Sequence, residues 1–260
     1  MSDRAPTVLA IDTATEVCSV AVLQGDRATE LIETVGHKHS ERVLPMIDAA
    51  LAKAGLTLGD IDFFAFGAGP GSFTGLRIAC GIAQGLAYGK RKPVVPIGNL
   101  RALAAQAFSS VDAGDLLLAA IDARMNESYY AIYRRGHLVS EIRAPALEDP
   151  QSLSRLAAEE RVDIVAGNAL KAFASVWPQA TTWVALPDAT PTAATIAHLA
   201  RADAENGLAV APEHAAPLYV RDHVALTIEE RQRIAAAPRG RPKERDVPVG
   251  GTARSARGQP

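Results

Sequence analysis

The chain repeats itself. Residues 9–12 read Leu-Ala-Ile-Asp, and residues 118–122 read Leu-Ala-Ala-Ile-Asp. Laying Asp12 on Asp122 sets an offset of 110 residues. The same offset carries the alternating segment 17–23 onto 127–133, brings the turn at Gly25 beside Gly136, and lays 27–33 on 137–143. One matched Ile-Asp pair is chance. One offset that fits three consecutive strands is a duplication, because a repeated unit carries its element order with it. Each unit opens with an apolar strand ending in Asp and continues with two further strands joined at a Gly-containing turn.

The rest of the chain fills in each half. Ser40 is read as the N-cap of a helix over 40–54, closed by Gly55. A buried strand over 63–66 runs into Gly67-Ala68-Gly69-Pro70-Gly71-Ser72, and a helix follows over 74–88. A strand over 93–97 and a helix over 100–108 complete the first half. In the second, a helix is expected near 150–160, a strand at 164–166, a helix over 192–206 and a strand near 218–220. The expected division is an N-terminal subdomain over 1–100 and a C-terminal one over 101–212, with 213–232 packing back on the first. The fold class is α/β, two βββαβα-type units, each with Asp at the end of its first strand. That plan resembles the actin, Hsp70 and sugar-kinase superfamily, where the two Asp-bearing turns face each other across a nucleotide cleft. The resemblance implies a fold and leaves function open.

Composition narrows the setting. The chain is 48% hydrophobic and 22% charged, ordinary for a globular protein, and its net charge of −2 gives no overall pull toward nucleic acid or anionic membrane. Cys18 and Cys80 sit in apolar runs and read as reduced core thiols; two cysteines alone do not make a zinc site. No apolar stretch approaches the roughly 18 residues of a membrane span. The opening Met-Ser-Asp-Arg-Ala-Pro-Thr carries no signal-peptide core, so the chain is expected to be cytoplasmic. Residues 238–260 change character, with six Lys and Arg against Glu244 and Asp246, a net +4 that leaves −6 for the remainder. Few large apolar side chains remain there to offset ordering entropy, so the segment reads as a disordered basic tail, either simply solvated or in contact with RNA.

The motifs come next. Asp12-Thr13-Ala14-Thr15 has two readings: a half-site that orients a metal-bound water and bonds a phosphate, or a turn whose side chains satisfy its own backbone. The matching turn, Asp122-Ala123-Arg124-Met125-Asn126-Glu127, has no glycine where backbone N–H groups must approach an anion. Asp12, Thr13, Asp122 and Arg124 therefore form at most a vestigial nucleotide site, with Arg124 either facing an anion or held in a surface ion pair. The Gly69–Gly75 loop is no Walker A, since no lysine lies between Lys53 and Lys90. It lacks the glycine two residues before Ser72 that a nucleophile elbow needs, and reads as a strand-to-helix turn capped by Ser72. His37 and His39, two residues apart with no third ligand nearby, give no metal site.

Two helices stand out. Over 40–54, Leu44, Ile47 and Leu51 form one apolar stripe, with Val43, Met46 and Ala50 beside it, a wider surface than one sheet contact uses. The helix over 74–88 carries Gly81 and Gly85 between Gly75 and Gly89. Each internal glycine costs about 1 kcal/mol relative to Ala, tolerable where another backbone packs close. That neighbour is either the chain's own sheet or another molecule, and the surplus surface on both helices favours the second. The expected interface residues are Leu44, Ile47, Leu51, Arg77, Ile78, Gly81, Ile82 and Gly85.

The segments at 9–22, 39–48, 67–87, 119–131 and 213–225, the run GPGSFTG above all, together resemble the TsaB family. This is the accessory subunit of the bacterial tRNA threonylcarbamoyladenosine machinery. The likeness spans about residues 7–225. It implies a non-catalytic role: pairing with the catalytic homologue TsaD, joined by the ATPase TsaE, to modify the adenosine beside the tRNA anticodon. It implies contact through the helices over 40–54 and 74–88, a surface that also forms homodimers, and tRNA reached only through the complex. It implies no catalytic residues, no metal and no resident cofactor, with ATP or ADP bound weakly or at a site completed in the complex. The TsaD His-x-x-x-His metal pair is missing here. An autonomous kinase-, ATPase- or metallopeptidase-like enzyme of the same fold is the alternative.

Overall fold

The structure, a computed structural model, describes residues 4–136, 139–178 and 182–221. The first sheet holds β1 (Val8–Asp12), β2 (Val17–Gln24), β3 (Arg27–Thr34), β4 (Phe63–Gly69) and β5 (Val94–Gly98), in the order β3-β2-β1-β4-β5. The second holds β6 (Leu116–Arg124), β7 (Glu127–Arg134), β8 (Ser140–Glu148), β9 (Ile164–Ala166) and β10 (Val184–Leu186), in the order β8-β7-β6-β9-β10. The two orders coincide when β6 replaces β1. In both, the first three strands form antiparallel hairpins and the fourth pairs parallel to the first. The fold is the duplicated α/β plan of the actin-like superfamily.

The helices are α1 (His39–Ala54), α2 (Phe73–Lys90), α3 (Asn99–Ser110), α4 (Pro150–Glu159), α5 (Ala169–Ala172) and α6 (Ala193–Glu205). Strand β1 is buried along its whole length because helices cover both faces of its sheet, which is why it reads as one unbroken apolar run. One core packs α1 and α2 on the first sheet, through Val43, Met46, Ile47, Ala79, Ala83 and Phe66. The opposite face of that sheet is covered by α6, whose Ala193, Ile196, Ala197 and Ala200 meet Val8, Ala10, Ala21 and Leu23. Helix α3, which follows β5, lies between the sheets: Leu100, Leu103 and Ala107 meet Leu117, Ala119 and Ile121 of the second, while Ala102 joins the core of the first.

The expected 101–212 subdomain therefore needs correcting: α6 belongs with the first sheet. Its N-terminus is fastened there, where Ala193 N donates to Ser19 Oγ at 2.9 Å and Ala194 N to Glu30 Oε1 at 2.7 Å. A sheet buried on both faces needs a second helical layer, and the consecutive helices α1 and α2 supply only one.

Other differences are local. Helix α1 begins at His39 with Lys38 as N-cap and no side-chain cap; Ser40 lies inside the first turn. The Lys38 carbonyl instead accepts from Glu41 N at 3.1 Å and Arg42 N at 3.2 Å. Ser72 does cap α2, accepting from Gly75 N. The third strand of the second unit runs over Ser140–Glu148 instead of 137–143, because the connection after β7 is longer than the two-residue turn after β2; residues 137–138 lie outside the described residues. Residues 218–220 form no strand. Leu218 N makes a single bond to Ala68 O at 2.7 Å at the end of β4, so the segment is a strap and not a ladder. It lies along α2, where Gln84 Nε2 donates to the carbonyls of Pro212 at 3.1 Å and Ala215 at 2.9 Å. Thus the strap packs on the first half through Pro212, Ala215, Leu218 and Tyr219, while Arg221 reaches the second; 222–232 and the expected tail over 238–260 lie outside the described residues. Cys18 and Cys80 are free and buried. Among the described residues no helix is long and apolar enough to cross a membrane.

Candidate functional site

The two Asp-bearing turns differ in kind. Asp12 is 1% exposed and Thr13 0%. Asn99 Nδ2 donates to Asp12 Oδ1 at 2.8 Å, and Ala14 N donates to the same oxygen at 3.3 Å. Asn99 Oδ1 in turn accepts from Gly69 N at 2.7 Å, while Thr13 Oγ1 donates to Gly75 O at 2.7 Å. A Cβ on Gly67 would fall 2.2 Å from Asp12 Oδ1, and one on Gly75 would fall 1.9 Å from Thr13 O. The first turn and the start of α2 are pressed together, and glycine is what permits it. Burial pushes the Asp12 carboxyl up to about 6, against the opposing bonds from Asn99 and the backbone. Thr13 thus ties the first turn to α2, and Asp12 ties it to the start of α3.

The second turn is a strained hairpin. Arg124, Met125 and Asn126 take φ of 62°, 56° and 61°, three consecutive non-glycine residues in the left-handed region. Arg124 N donates to Asp122 Oδ1 at 2.8 Å, and Asp122 N to Asn168 Oδ1 at 2.8 Å. The Arg124 guanidinium lies 3.2 Å from Asp122 and 3.2 Å from Glu16 of the first turn. Arg221, on the strap, bonds Glu127 and the Ala123 carbonyl over the Tyr129 ring. The structure thus joins Asp122 and Arg124 to each other and to Glu16, while Asp12 and Thr13 spend their bonds on Asn99 and Gly75. Arg124 already faces two carboxylates, which leaves little positive field for a phosphate.

Among the described residues no three His, Cys, Asp or Glu side chains group as a metal site. His37 is exposed and His39 buried. Burial holds the His39 imidazole below its usual pKa, opposed by bonds to the Val17 and Thr15 backbone.

The α1–α2 face is the larger feature. Leu44 is 50% exposed, and Arg77, Gly81 and Gly85 are exposed, with Ile78 and Ile82 half-buried between them. Ile47 (2%) and Leu51 (4%) point into the core and support this face from beneath. A Cβ on Gly81, Gly85 or Gly89 would meet nothing within 4 Å. The chain's own packing therefore gives no reason for glycine at these three positions.

Sequence reasoning missed Asn99, Phe73 and Tyr219. The Arg77 guanidinium stacks 3.7 Å from the Phe73 ring centre, and its Nε donates to the Tyr219 hydroxyl at 3.0 Å. The Phe73 and Tyr219 rings lie 5.6 Å apart. Arg77 and Tyr219 are 142 residues apart in the chain, so no local pattern joins them. For Asn99, a polar residue opening a helix after a buried strand was the only available signal.

Comparison with known proteins supplies a family. The family model described as TsaD, tRNA N6-adenosine threonylcarbamoyltransferase, matches residues 33–230. The chain is 36% identical over 228 residues to the tRNA threonylcarbamoyladenosine biosynthesis protein TsaB of Escherichia coli, covering 84% of this chain and 96% of that protein. It is 54% identical over 125 residues to the protein of the same name from Haemophilus influenzae, a match that spans 48% of this chain and only 52% of that protein. A crystal structure of a Pseudomonas aeruginosa protein, described as uncharacterized with similarity to peptidase YeaZ, superposes with a TM-score of 0.75 at 37% identity. It covers 83% of this chain and all of that one, 100%. The duplicated sheets, the α1–α2 pair and these matches across most of the sequence agree: the chain belongs to the TsaB (YeaZ-type) family.

Proposed function

We propose that the chain is a non-catalytic subunit required for N6-threonylcarbamoyladenosine formation in tRNA. It docks through α1 and α2 onto a TsaD-like catalytic subunit and acts together with a TsaE-like ATPase. The observation that carries this reading is the exposed face of α2: three glycines with nothing of their own chain against them, beside the half-exposed Leu44 on α1. Glycine in a helix costs stability and allows backbones to approach, so an unfilled glycine face fits a helix from another molecule. In the absence of that partner the same face fits a second copy of the chain. The cleft supports the non-catalytic part, since Asp12 and Thr13 are buried and Arg124 is held by acids. Any ATP or ADP site is then one completed by the partner.

Two experiments test this. The purified chain is incubated with tRNA, ATP and a preformed activated threonylcarbamoyl donor, alone and with the TsaD-like and TsaE-like subunits, and the nucleoside is read by mass spectrometry. Modification is expected only in the full mixture; modification by this chain alone rejects the proposal. Docking is read by co-elution with the TsaD-like subunit. Gly85→Arg and Leu44→Asp, both at exposed positions, should abolish it. Ile47→Asp is not a fair probe, because Ile47 lies in the core.

A further inference from the structure

Beside the glycine face, at the N-terminal turn of α2, lies the cluster of Phe73, Arg77 and Tyr219. Phe73 is 41% exposed and Tyr219 43%. Large aromatic side chains this open, grouped around an arginine, are the composition of interaction anchors and not of ordinary surface. The guanidinium is held from two directions. Its flat face rests on Phe73, and its Nε is committed to the Tyr219 hydroxyl. The strap that brings Tyr219 there is itself tied down, by Leu218 N to Ala68 O and by Gln84 to the strap carbonyls.

The terminal nitrogens of Arg77 remain. Among the described residues no carboxylate forms an ion pair with Arg77, and the exposed acids of the neighbouring helix, Glu41 and Asp48, are likewise outside any ion pair. A guanidinium immobilised by stacking and by one hydrogen bond, with its outer fork unused, is prepared for a planar two-oxygen anion. Such an arginine loses less rotamer freedom on binding than a free one, so more of the interaction survives as affinity.

We propose that Arg77, positioned by Phe73 and Tyr219, is a carboxylate-binding anchor of the docking face, and that the partner places an Asp or Glu opposite it on the helix lying against Gly81 and Gly85. This rests on the docking reading above. A protein carboxylate is favoured over a phosphate because the cation borders a smooth, apolar helix face suited to a close-packed helix. The strap then belongs to the interface as a third element beside α1 and α2.

The test is the affinity of the full chain for the TsaD-like subunit by calorimetry, at low and moderate salt, for the parent, Arg77→Ala, Arg77→Lys, Tyr219→Phe and Gly85→Arg. Arg77→Ala should weaken binding roughly ten- to hundredfold and flatten its salt dependence. Arg77→Lys should recover only part, since it keeps the charge and loses the fork. Tyr219→Phe should cost severalfold, keeping the ring and losing the orienting hydroxyl. Thermal melts of the free chain should be nearly unchanged for Arg77→Ala, because the side chain is exposed. If Arg77→Ala binds as tightly as the parent while Gly85→Arg does not bind, the carboxylate anchor is wrong and docking through α2 stands. If neither change matters, the docking reading falls and the anchor with it. If Arg77→Ala leaves protein affinity intact but lowers the affinity of the assembled complex for tRNA, the ligand is a phosphate and the proposal is overturned.

Discussion

At the scale of single residues, Asp12 decides how the first turn is understood. In the unfolded chain its carboxyl titrates near 3.8, and in the folded chain burial raises it to about 6. The folded state therefore binds more protons than the unfolded state between those values. Stability contributed by Asp12 is fully present below about pH 4 and is lost as pH rises toward and through 6. The shift corresponds to roughly 2–3 kcal/mol. Asp12→Asn keeps an oxygen that can accept from Asn99 Nδ2 and Ala14 N but carries no charge. We expect it to be more stable than the parent at pH 8, by up to about that amount, and to lose the fall between pH 4 and 6. Urea denaturation at pH 4.5, 6 and 8 checks this. Equal pH slopes in both proteins would show that Asp12 is not the titrating group. The contrast between glycines works at the same scale. Gly75→Ala should disrupt the start of α2, since its Cβ would lie 1.9 Å from the Thr13 carbonyl oxygen. Lower thermal stability together with weaker partner binding is the expected reading.

At the scale of elements, the same logic gives the opposite sign further along α2. Gly81→Ala and Gly85→Ala add a methyl group where nothing lies within 4 Å. Each should stabilise the isolated chain by about 1 kcal/mol, by helix propensity and by reduced unfolded-state entropy. Both should weaken association with the TsaD-like subunit. A gain in stability without loss of association would mean that these glycines serve no interface. This pair of effects also marks what was legible in the sequence. The glycine periodicity was visible; whether it faced the chain's own sheet or solvent was not, because that depends on which side of α2 the sheet takes. Likewise the 110-residue offset places β2 over residues 17–24 and β7 over 127–134, register for register, since both follow directly from an Asp-bearing strand. The offset then slips, because loop lengths diverge freely where no core contact fixes them. Strand β10 escaped notice because it is three residues long and largely exposed, which leaves no alternation to detect. Of the candidate site, the two helices were readable but their open faces were not: Ile47 and Leu51, grouped with Leu44 by spacing, lie in the core, and the Arg77–Tyr219 contact was beyond any local pattern.

At the scale of the whole molecule, the helices cross between repeats. Helix α3 lies between the sheets, giving Ala102 to the first core and Leu100, Leu103 and Ala107 to the second, and α6 returns to cover the first, so neither repeat closes its core with its own consecutive elements alone. The two crossing helices meet through Arg101 and Asp203, paired at 2.6 and 3.0 Å with Asp203 largely buried. Removing one member of such a pair strands the other charge. Arg101→Ala should cost roughly 3 kcal/mol, and the double change to Arg101→Leu with Asp203→Leu should recover much of it. The crossing also bears on cooperativity. If each repeat were self-sufficient, the chain would unfold in two steps. Because each sheet borrows a helix from beyond its own half, loss of either repeat uncovers the other's apolar face. Residues 4–221 should therefore unfold in one calorimetric transition, with van't Hoff and calorimetric enthalpies equal. Arg101→Ala should lower that transition without splitting it, because it weakens a joint that both repeats share. Two resolved transitions, or a fragment ending near residue 112 that folds alone, would show that the crossing helices are dispensable to the repeats they cover. A single transition lowered as a whole is what a duplicated fold gains by exchanging its helices: the proposed docking face on the first repeat would keep its shape only while the second repeat is folded.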